Sequence, residues 1–262
     1  ALAEDLLCPF HYFGISDLWI DGKEINLEED NISFSNLSEG ERVDKIIEKI
    51  RYFGHSGSRV KGLVFCSNKK EAKELSDAFN LRKFRTISLT GDDSQAKRED
   101  AIARLTGTGA YQGFVDDQLD YIFTVDIFNE GVDIPEVNQV IMLRQTESPI
   151  VFIQQLGRGL RKFEDKEYVV ILDFIGNYSN SYMIPLALSG DRSYNKDTLR
   201  KYVQSGNRII PGTSTVHFDA IAKKRIFAAI DTANLSSAKL IKEAYLDLKY
   251  KLGHIPRIKD FK

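Results

Sequence analysis

The stretch KGLVFCSNKKEAKELSDAFN, residues 61–80, contains one complete repeating unit of the fold. Residues 61–67 contain an unbroken apolar run, which is typical of a strand that is buried on both faces of a sheet. Residues 68–80 follow an amphipathic pattern at helical spacing and begin at Asn68, a residue type that commonly caps helices. A buried strand followed by an amphipathic helix is the unit from which helix-covered parallel sheets are built.

The same alternation continues along the chain. It predicts an α/β fold in which a parallel sheet has helices on both faces, because continuous apolar strands need cover on each side. In such a sheet, functional residues are expected in the loops beyond the carboxyl ends of the strands. Strands are predicted at residues 61–67, 84–90, 119–125, 137–144 and 167–176, and helices at 41–53, 68–80, 93–106 and 149–161.

The sequence divides into three regions. Residues 1–40, with nine Asp and Glu against one Lys, are interpreted as an irregular N-terminal arm or linker that docks through its aromatic side chains. Residues 41–184 carry the alternation and are assigned to the α/β domain. No strand is predicted beyond about residue 185, so residues 185–262 are assigned to a basic helical extension, with helices at 195–205, 219–234 and 237–253.

The net charge of −2 hides an uneven distribution. Residues 196–262 hold 14 Lys and Arg against 6 Asp and Glu, a net +8, which leaves 22 basic and 32 acidic residues, a net −10, in the other 195. A basic end on an acidic body suggests an anionic partner, most commonly nucleic acid. Helices with Lys-rich solvent faces produce the same count, so charge alone leaves both interpretations open.

Several kinds of site are missing from the sequence. No apolar run reaches membrane-spanning length and no signal peptide is evident, so we expect a cytoplasmic protein without a membrane partner. The two cysteines and four separated histidines form no metal-ligand pattern. There is no G-x-x-x-x-G-K-[ST] phosphate loop and no G-x-S-x-G nucleophile turn. Because the first residue is Ala, we expect a piece of a longer protein.

The segment QQLGRGLR, residues 154–161, places two permanent cations close together. On a helix, Gln154, Arg158 and Arg161 fall at i, i+4 and i+7 on one face. Such a pair is either solvated, or held in structural ion pairs, or directed at an anionic ligand. Phosphoryl transfer is catalysed largely by cations placed where negative charge develops, and a guanidinium can hold two phosphate oxygens at once.

Four segments together resemble a known family. QQLGRGLR matches motif VI of superfamily 2 helicases, and TVDIFNEGVDIP at residues 124–135 matches motif V. GLVFCSN at 62–68 lies where motif IV belongs, and LTGDDSQAKRED at 89–100 is similar to the Thr-Gly segment that follows it. The chain therefore resembles the C-terminal RecA-like domain of a superfamily 2 DEAD/DEAH-type helicase, closest to the DNA-repair and restriction branch, with a helical extension. The resemblance implies a RecA-like parallel sheet flanked by helices.

The resemblance implies an ATP site shared between two domains. Arg158 and Arg161 correspond to the arginine fingers that act on the γ-phosphate, and Gln154 would line the same cleft. Asp133 corresponds to the motif V carboxylate that contacts the ribose or orders the arginine-bearing helix, and Gly131 permits the tight turn before it. ATP and Mg2+ would be bound mainly by a first RecA-like domain that this sequence does not contain, so the chain alone is expected to be inactive.

The resemblance also implies contacts to a nucleic-acid backbone, with double-stranded DNA favoured over RNA. Many family members carry Thr where this chain has Val125, and a one-residue step along a strand reverses the side-chain face. The neighbouring Thr124 is kept as a candidate, with Asn129 or main-chain groups as the alternative. The candidate contact residues are Ser67, Asn68, Thr90, Gly91, Thr124 and Asn129.

The leading interpretation is half of an ATP-driven helicase or translocase, a nucleoside-triphosphate hydrolase. A non-catalytic module that docks to nucleic acid or protein is the alternative, and the presence of Arg158, Arg161 and Asp133 argues against it. An unrelated α/β nucleotide-binding enzyme is disfavoured because no Gly-rich turn joins a strand to a helix.

Overall fold

The computed structural model describes residues 8–15, 19–20, 23–24, 39–125, 134–144, 160–174, 181–189, 195–205 and 214–233, together with positions 245, 255 and 257. The strands are β1 Phe10–Ile15, β2 Trp19–Ile20, β3 Lys23–Glu24, β4 Gly62–Phe65, β5 Thr86–Leu89, β6 Tyr121–Thr124, β7 Gln139–Met142, β8 Val169–Phe174 and β9 Thr215–Phe218. The α-helices are α1 Glu39–Phe53, α2 Lys69–Leu81, α3 Gln95–Thr106, α4 Met183–Ser189, α5 Lys196–Ser205 and α6 Ala220–Thr232.

Seven of these strands form one sheet in the order β5-β6-β4-β7-β8-β1-β9. Every pairing within it is parallel. In the middle of the sheet, Val64 of β4 lies opposite Phe123 on one side and Ile141 on the other. The strands β2 and β3 form a separate antiparallel pair. The parallel sheet with flanking helices confirms the α/β class that the alternation predicts.

Helices cover both faces of the sheet. On one face, α1 and α2 contribute Ile46 and Phe79 to a buried apolar cluster that includes Val64 of β4. On the other face, α3 and α5 contribute Leu105 and Val203 to a second cluster. Because both faces are covered, every residue of β4 is buried, which explains why the strand reads as a continuous apolar run.

The β4–α2 unit shows how individual residues fix the local structure. The Glu71 N–H donates a hydrogen bond to Asn68 Oδ1 at 2.9 Å, so Asn68 caps α2 as predicted. A Cβ on Gly62 would lie 2.1 Å from the ring of Tyr121 on the neighbouring strand β6. Glycine at position 62 therefore lets the backbone of β4 and this ring come into direct contact.

The structure corrects the interpretation of residues 1–40 as an irregular arm and of residues 185–262 as purely helical. Within the first region, β1 lies inside the sheet between β8 and β9, and within the second, β9 is a sheet strand. Both strands pair with segments more than 150 residues away in the sequence, and neither is buried along its whole length as β4 is, so neither reads as a continuous apolar run. Helices are confirmed at residues 196–205 and 220–232.

The division near residue 184 stays a prediction, but the apolar core is continuous across it. Val203 and Ile226, from helices of the predicted extension, belong to the same buried cluster as Ile171 of β8.

A helix is predicted at residues 149–161, but the last two of these residues, Leu160 and Arg161, are not helical in the structure. Glycine disfavours helix, and the sequence carries it at positions 157 and 159. Residues 145–159 lie outside the described residues.

Candidate functional site

The loops after β4 and β5 lie at the same edge of the sheet, because parallel strands end together. The structure brings four of the predicted nucleic-acid contacts to this edge. Ser67, Asn68 and Gly91 are exposed there, and Thr90 is half-buried. We call the loops at residues 66–68 and 90–93 the edge loops.

The first edge loop is organised around Glu71. The Ser67 N–H donates to Glu71 Oε2 at 2.6 Å, and Arg42 of α1 forms an ion pair with the same carboxylate. Glu71 therefore donates its N–H to the cap residue Asn68 and accepts a hydrogen bond from Ser67, the residue before the cap, a variation on the capping box in which the Glu side chain would accept from the cap residue itself. The N-terminus of α2 therefore directs its main-chain N–H groups and the positive end of its dipole to this edge, an arrangement that attracts phosphate.

The second edge loop is closed by Asp93. The Thr90 N–H donates to Asp93 Oδ2 at 2.7 Å, and the Thr90 hydroxyl lies 3.3 Å from the same oxygen. Hydrogen bonds from Lys97 and from the Thr90 main chain hold the pKa of Asp93 below its usual range. Arg98 donates to the carbonyl of Gly91 at 2.7 Å, so it braces the loop through a main-chain acceptor. A Cβ on Gly91 would meet no atom within 4 Å, which leaves the backbone there open to a ligand.

An ion pair between Lys69, the first residue of α2, and Asp92 connects the start of this helix to the second edge loop. The two side chains are 58% and 78% exposed, and such surface pairs contribute little to stability. An incoming phosphate can therefore replace Asp92 as the partner of Lys69 at low cost. Sequence reasoning missed Lys69, and its position directly after Asn68 in a loop-to-helix junction was the available signal.

Thr124 is not placed for a nucleic-acid contact, and that prediction is wrong. The residue is 0% exposed at the end of β6, where it lies opposite Phe65 of β4 and Leu89 of β5. Both neighbours belong to the buried cluster on the side of α3, so the hydroxyl lies within the core rather than at the surface. Among the described residues, Thr124 Oγ1 has no hydrogen-bond partner.

Arg161 is exposed and directly follows Leu160, which is buried. The carbonyl of Leu160 accepts a hydrogen bond of 2.7 Å from the Cys8 N–H, so the N-terminal segment anchors the backbone beside this arginine. An exposed arginine suits an anion that approaches from outside the chain. Five other predicted site residues lie outside the described residues: Asn129, Gly131, Asp133, Gln154 and Arg158.

The described part of the chain contains no cluster of three or more His, Cys, Asp or Glu side chains arranged to hold a metal ion. Cys8 and Cys66 are free thiols that belong to the buried clusters on opposite faces of the sheet. Burial raises the pKa of the Cys66 thiol, so it stays protonated. In the same described residues, no helix has the length and apolar character needed to cross a membrane.

Comparisons with known proteins agree with this architecture. Residues 41–163 match the helicase conserved C-terminal domain. IRC3 of Saccharomyces cerevisiae, a protein named as an ATP-dependent helicase, is 28% identical over 160 residues, which cover 61% of this chain and 22% of IRC3. The irc3 protein of Schizosaccharomyces pombe, named as a mitochondrial ATP-dependent helicase, is 29% identical over 173 residues, covering 61% of this chain and 27% of that protein. The chain thus spans about a quarter of the length of these relatives.

Among solved structures, the ATP-dependent Type ISP restriction-modification enzyme LlaBIII bound to DNA aligns with 99% of this chain and 20% of its own, at a TM-score of 0.54 and 16% identity. At that identity the likeness concerns the fold. The order of the four sequence motifs, the parallel sheet that carries them and the match over residues 41–163 lead to one conclusion. Residues 41–163 of this chain therefore carry a helicase conserved C-terminal domain.

Proposed function

We propose that this chain is the second motor domain of an ATP-dependent translocase or helicase that acts on double-stranded DNA. The observation that carries the proposal is the match of residues 41–163 of this chain to the helicase conserved C-terminal domain. Relatives of the chain that are named as ATP-dependent helicases support it. The chain would work together with a first RecA-like domain of the same protein. A cytoplasmic location stays a prediction.

On the nucleotide side, Arg158 and Arg161 would neutralise charge that develops on the γ-phosphate during hydrolysis. Asp133, Gly131 and Gln154 would form the adjoining wall of the cleft. The exposure of Arg161 supports its part in this arrangement. Mg2+, when bound with ATP, supplies further charge neutralisation, and its ligands would belong to the first domain.

On the nucleic-acid side, the edge loops would hold the phosphate backbone through Ser67, Asn68, Thr90 and Gly91, with Asn129 as a further contact. These groups are hydroxyls, an amide and main-chain N–H groups beside a helix N-terminus, which position a strand without reading its sequence. The choice of double-stranded DNA is supported by motifs V and VI and by the DNA-bound restriction enzyme of the same fold.

The test uses the full-length protein of which this chain is part. We expect its ATPase activity to be stimulated by double-stranded DNA, and Arg161→Ala to lower kcat by about a hundredfold or more, since arginine fingers contribute about 10³–10⁵ in rate. ATP binding is expected to stay within about threefold of the wild type, because the lost contact forms mainly in the transition state.

Arg51→Ala is the matched control for this experiment. Arg51 is an exposed arginine in the last turn of α1. The end of this helix lies beside the amino end of β7, because the Gln139 side chain donates a hydrogen bond to the carbonyl of Gly54. It therefore lies at the sheet edge opposite the edge loops. An unchanged kcat in Arg161→Ala would remove the finger role. Absence of ATPase activity in the wild type, with DNA binding retained, would favour the non-catalytic docking module.

A further inference from the structure

Lys166 is a lysine in an unusual environment. Lys166 is only 7% exposed. It closes a turn in which the main-chain N–H of Lys166 donates to the carbonyl of Phe163 at 3.1 Å. Phe163 and Lys166 also form an isolated antiparallel bridge. Lysine is rarely buried to this degree unless its ammonium has dedicated partners, because the charged group loses its hydration.

The Lys166 ammonium reaches the end of motif V and the residues directly after it. It donates to the carbonyl of Pro135 and, at 3.1 Å, to the carbonyl of Val137. That segment is itself a turn, in which the Val137 N–H donates to the carbonyl of Ile134 at 3.2 Å. Pro135 comes two residues after Asp133 in the sequence. Hydrogen bonds from a charged donor are stronger than neutral ones, so this contact is a firm link between two segments.

The same lysine lies five residues after Arg161. On the other side of this arginine, Leu160 is buried, and its carbonyl accepts the hydrogen bond from Cys8. The backbone of Arg161 therefore lies between two fixed points, the buried Leu160 and the turn that Lys166 closes. The ammonium connects the second fixed point to the backbone at the end of motif V.

We propose that Lys166 is a positioning residue for ATP hydrolysis, which fixes the Arg161-bearing segment against the end of motif V. The inference rests on the proposed function, since it assigns to Lys166 the alignment of the two motifs that line the nucleotide cleft. Lys166 acts through main-chain carbonyls and does not touch the nucleotide. Loss of the link would shift the guanidinium relative to the cleft, and displacements of about 1 Å can cost about a hundredfold in rate.

The experiment replaces Lys166 with Met in the full-length protein. Methionine keeps the unbranched apolar stem and removes the three N–H donors. We expect kcat of the DNA-stimulated ATPase to fall by about tenfold or more, while KM for ATP and binding of double-stranded DNA change by less than about threefold. Lys166→Arg keeps the charge and donors, and we expect it to recover a measurable part of the lost kcat.

Two controls separate positioning from simple destabilisation. Val43→Ala removes two methyl groups from a fully buried residue on the opposite face of the sheet, and is expected to lower the melting temperature while kcat at a permissive temperature is kept. Lys49→Met removes an ammonium from the surface of α1, and is expected to change neither. Hydrogen–deuterium exchange supplies a readout besides activity: in Lys166→Met, peptides that cover residues 134–144 should exchange faster than in Val43→Ala.

The outcomes distinguish this inference from the function on which it rests. If the wild type is an ATPase and Arg161→Ala inactivates it, but Lys166→Met keeps kcat or loses it only in proportion to melting temperature, the positioning role is overturned and the motor function stands. If both Lys166 variants fail to fold, the residue is structural and the inference is also overturned. A wild type without DNA-stimulated ATPase activity overturns both.

Discussion

Asp173 is a carboxyl group inside the core, at 3% exposure on β8. The Tyr12 hydroxyl donates to its Oδ2 at 2.6 Å. Burial raises the pKa of Asp173 to about 7, although the hydrogen bond from Tyr12 acts in the opposite direction. The protein therefore keeps a proton on this group at pH values where an exposed aspartate is ionised.

Asp173→Asn is expected to stabilise the protein at neutral and alkaline pH. In the wild type, the folded pKa lies above the unfolded value of 3.8, so the stability that the protonated carboxyl contributes is complete below pH 3.8 and is lost as pH rises towards 7. Asparagine stays neutral and still accepts the Tyr12 hydrogen bond. Urea unfolding from pH 4 to 9 should show a gain that grows to about 1–4 kcal/mol near pH 7 and is constant above it.

Asp77→Asn, at an exposed position of α2, is the control and should give no such pH-dependent gain. An Asp173→Asn gain that is equal at pH 4 and pH 8 would show that the carboxyl is ionised in the folded protein over the whole range.

At the scale of secondary-structure elements, one residue of the loop before α2, Asn68, has both a structural role and a proposed functional role. Asn68 caps the helix through Oδ1, and it is exposed at the edge where phosphate contacts are proposed. The two roles respond differently to charge. A carboxylate at an N-cap is as good an acceptor as an amide and interacts favourably with the helix dipole, but it repels phosphate.

Asn68→Asp is therefore expected to leave the free energy of unfolding within about 0.5 kcal/mol of the wild type. In the full-length protein, affinity for double-stranded DNA should fall about threefold to tenfold at low salt, with a smaller difference at high salt because the repulsion is screened. Fluorescence anisotropy over a salt series and thermal unfolding measure the two effects.

Gln112→Glu makes the same change of charge in the exposed segment before β6, at the opposite edge of the sheet, and should leave DNA affinity unchanged. Equal losses of affinity in both variants would indicate a general charge effect and remove Asn68 from the interface.

The elements that the sequence revealed are those with a local signature. The β4–α2 unit could be predicted because a buried strand, a cap and an amphipathic helix follow one another. The strands β1 and β9 could not, since neither is a continuous apolar run and each finds its partner far along the chain. At the candidate site, the predicted strands place Ser67 and Thr90 after the carboxyl ends of β4 and β5, as the structure does, but the face of Thr124 depends on strand register, which a linear motif does not encode.

At the scale of the whole molecule, Tyr12 joins parts of the chain that are distant in sequence. It is fully buried, its hydroxyl contacts Asp173 of β8, and its ring packs edge to face on Phe218 of β9 at 5.6 Å between centroids. Tyr202 of α5 lies close enough to raise the pKa of Tyr12 further, beyond the larger effects of burial and Asp173. Among the described strands, β9 pairs with β1 alone, so the N-terminal strand connects β9 and the helix after it to the rest of the described sheet.

Tyr12→Ala is expected to destabilise the whole described fold as one unit. The variant leaves a cavity and removes the hydrogen bond to Asp173, and truncation of a buried aromatic costs about 3–5 kcal/mol. We expect one unfolding transition at a lower urea midpoint, with faster hydrogen exchange in peptides covering α5 and α6 as well as β4.

Tyr52→Ala, at an aromatic residue of α1 that is 79% exposed, is the control and should leave both measurements unchanged. If α5 and α6 kept wild-type protection while the sheet unfolded, residues 185–262 would be an independent domain, and the continuous core would not couple the N-terminal strand to them.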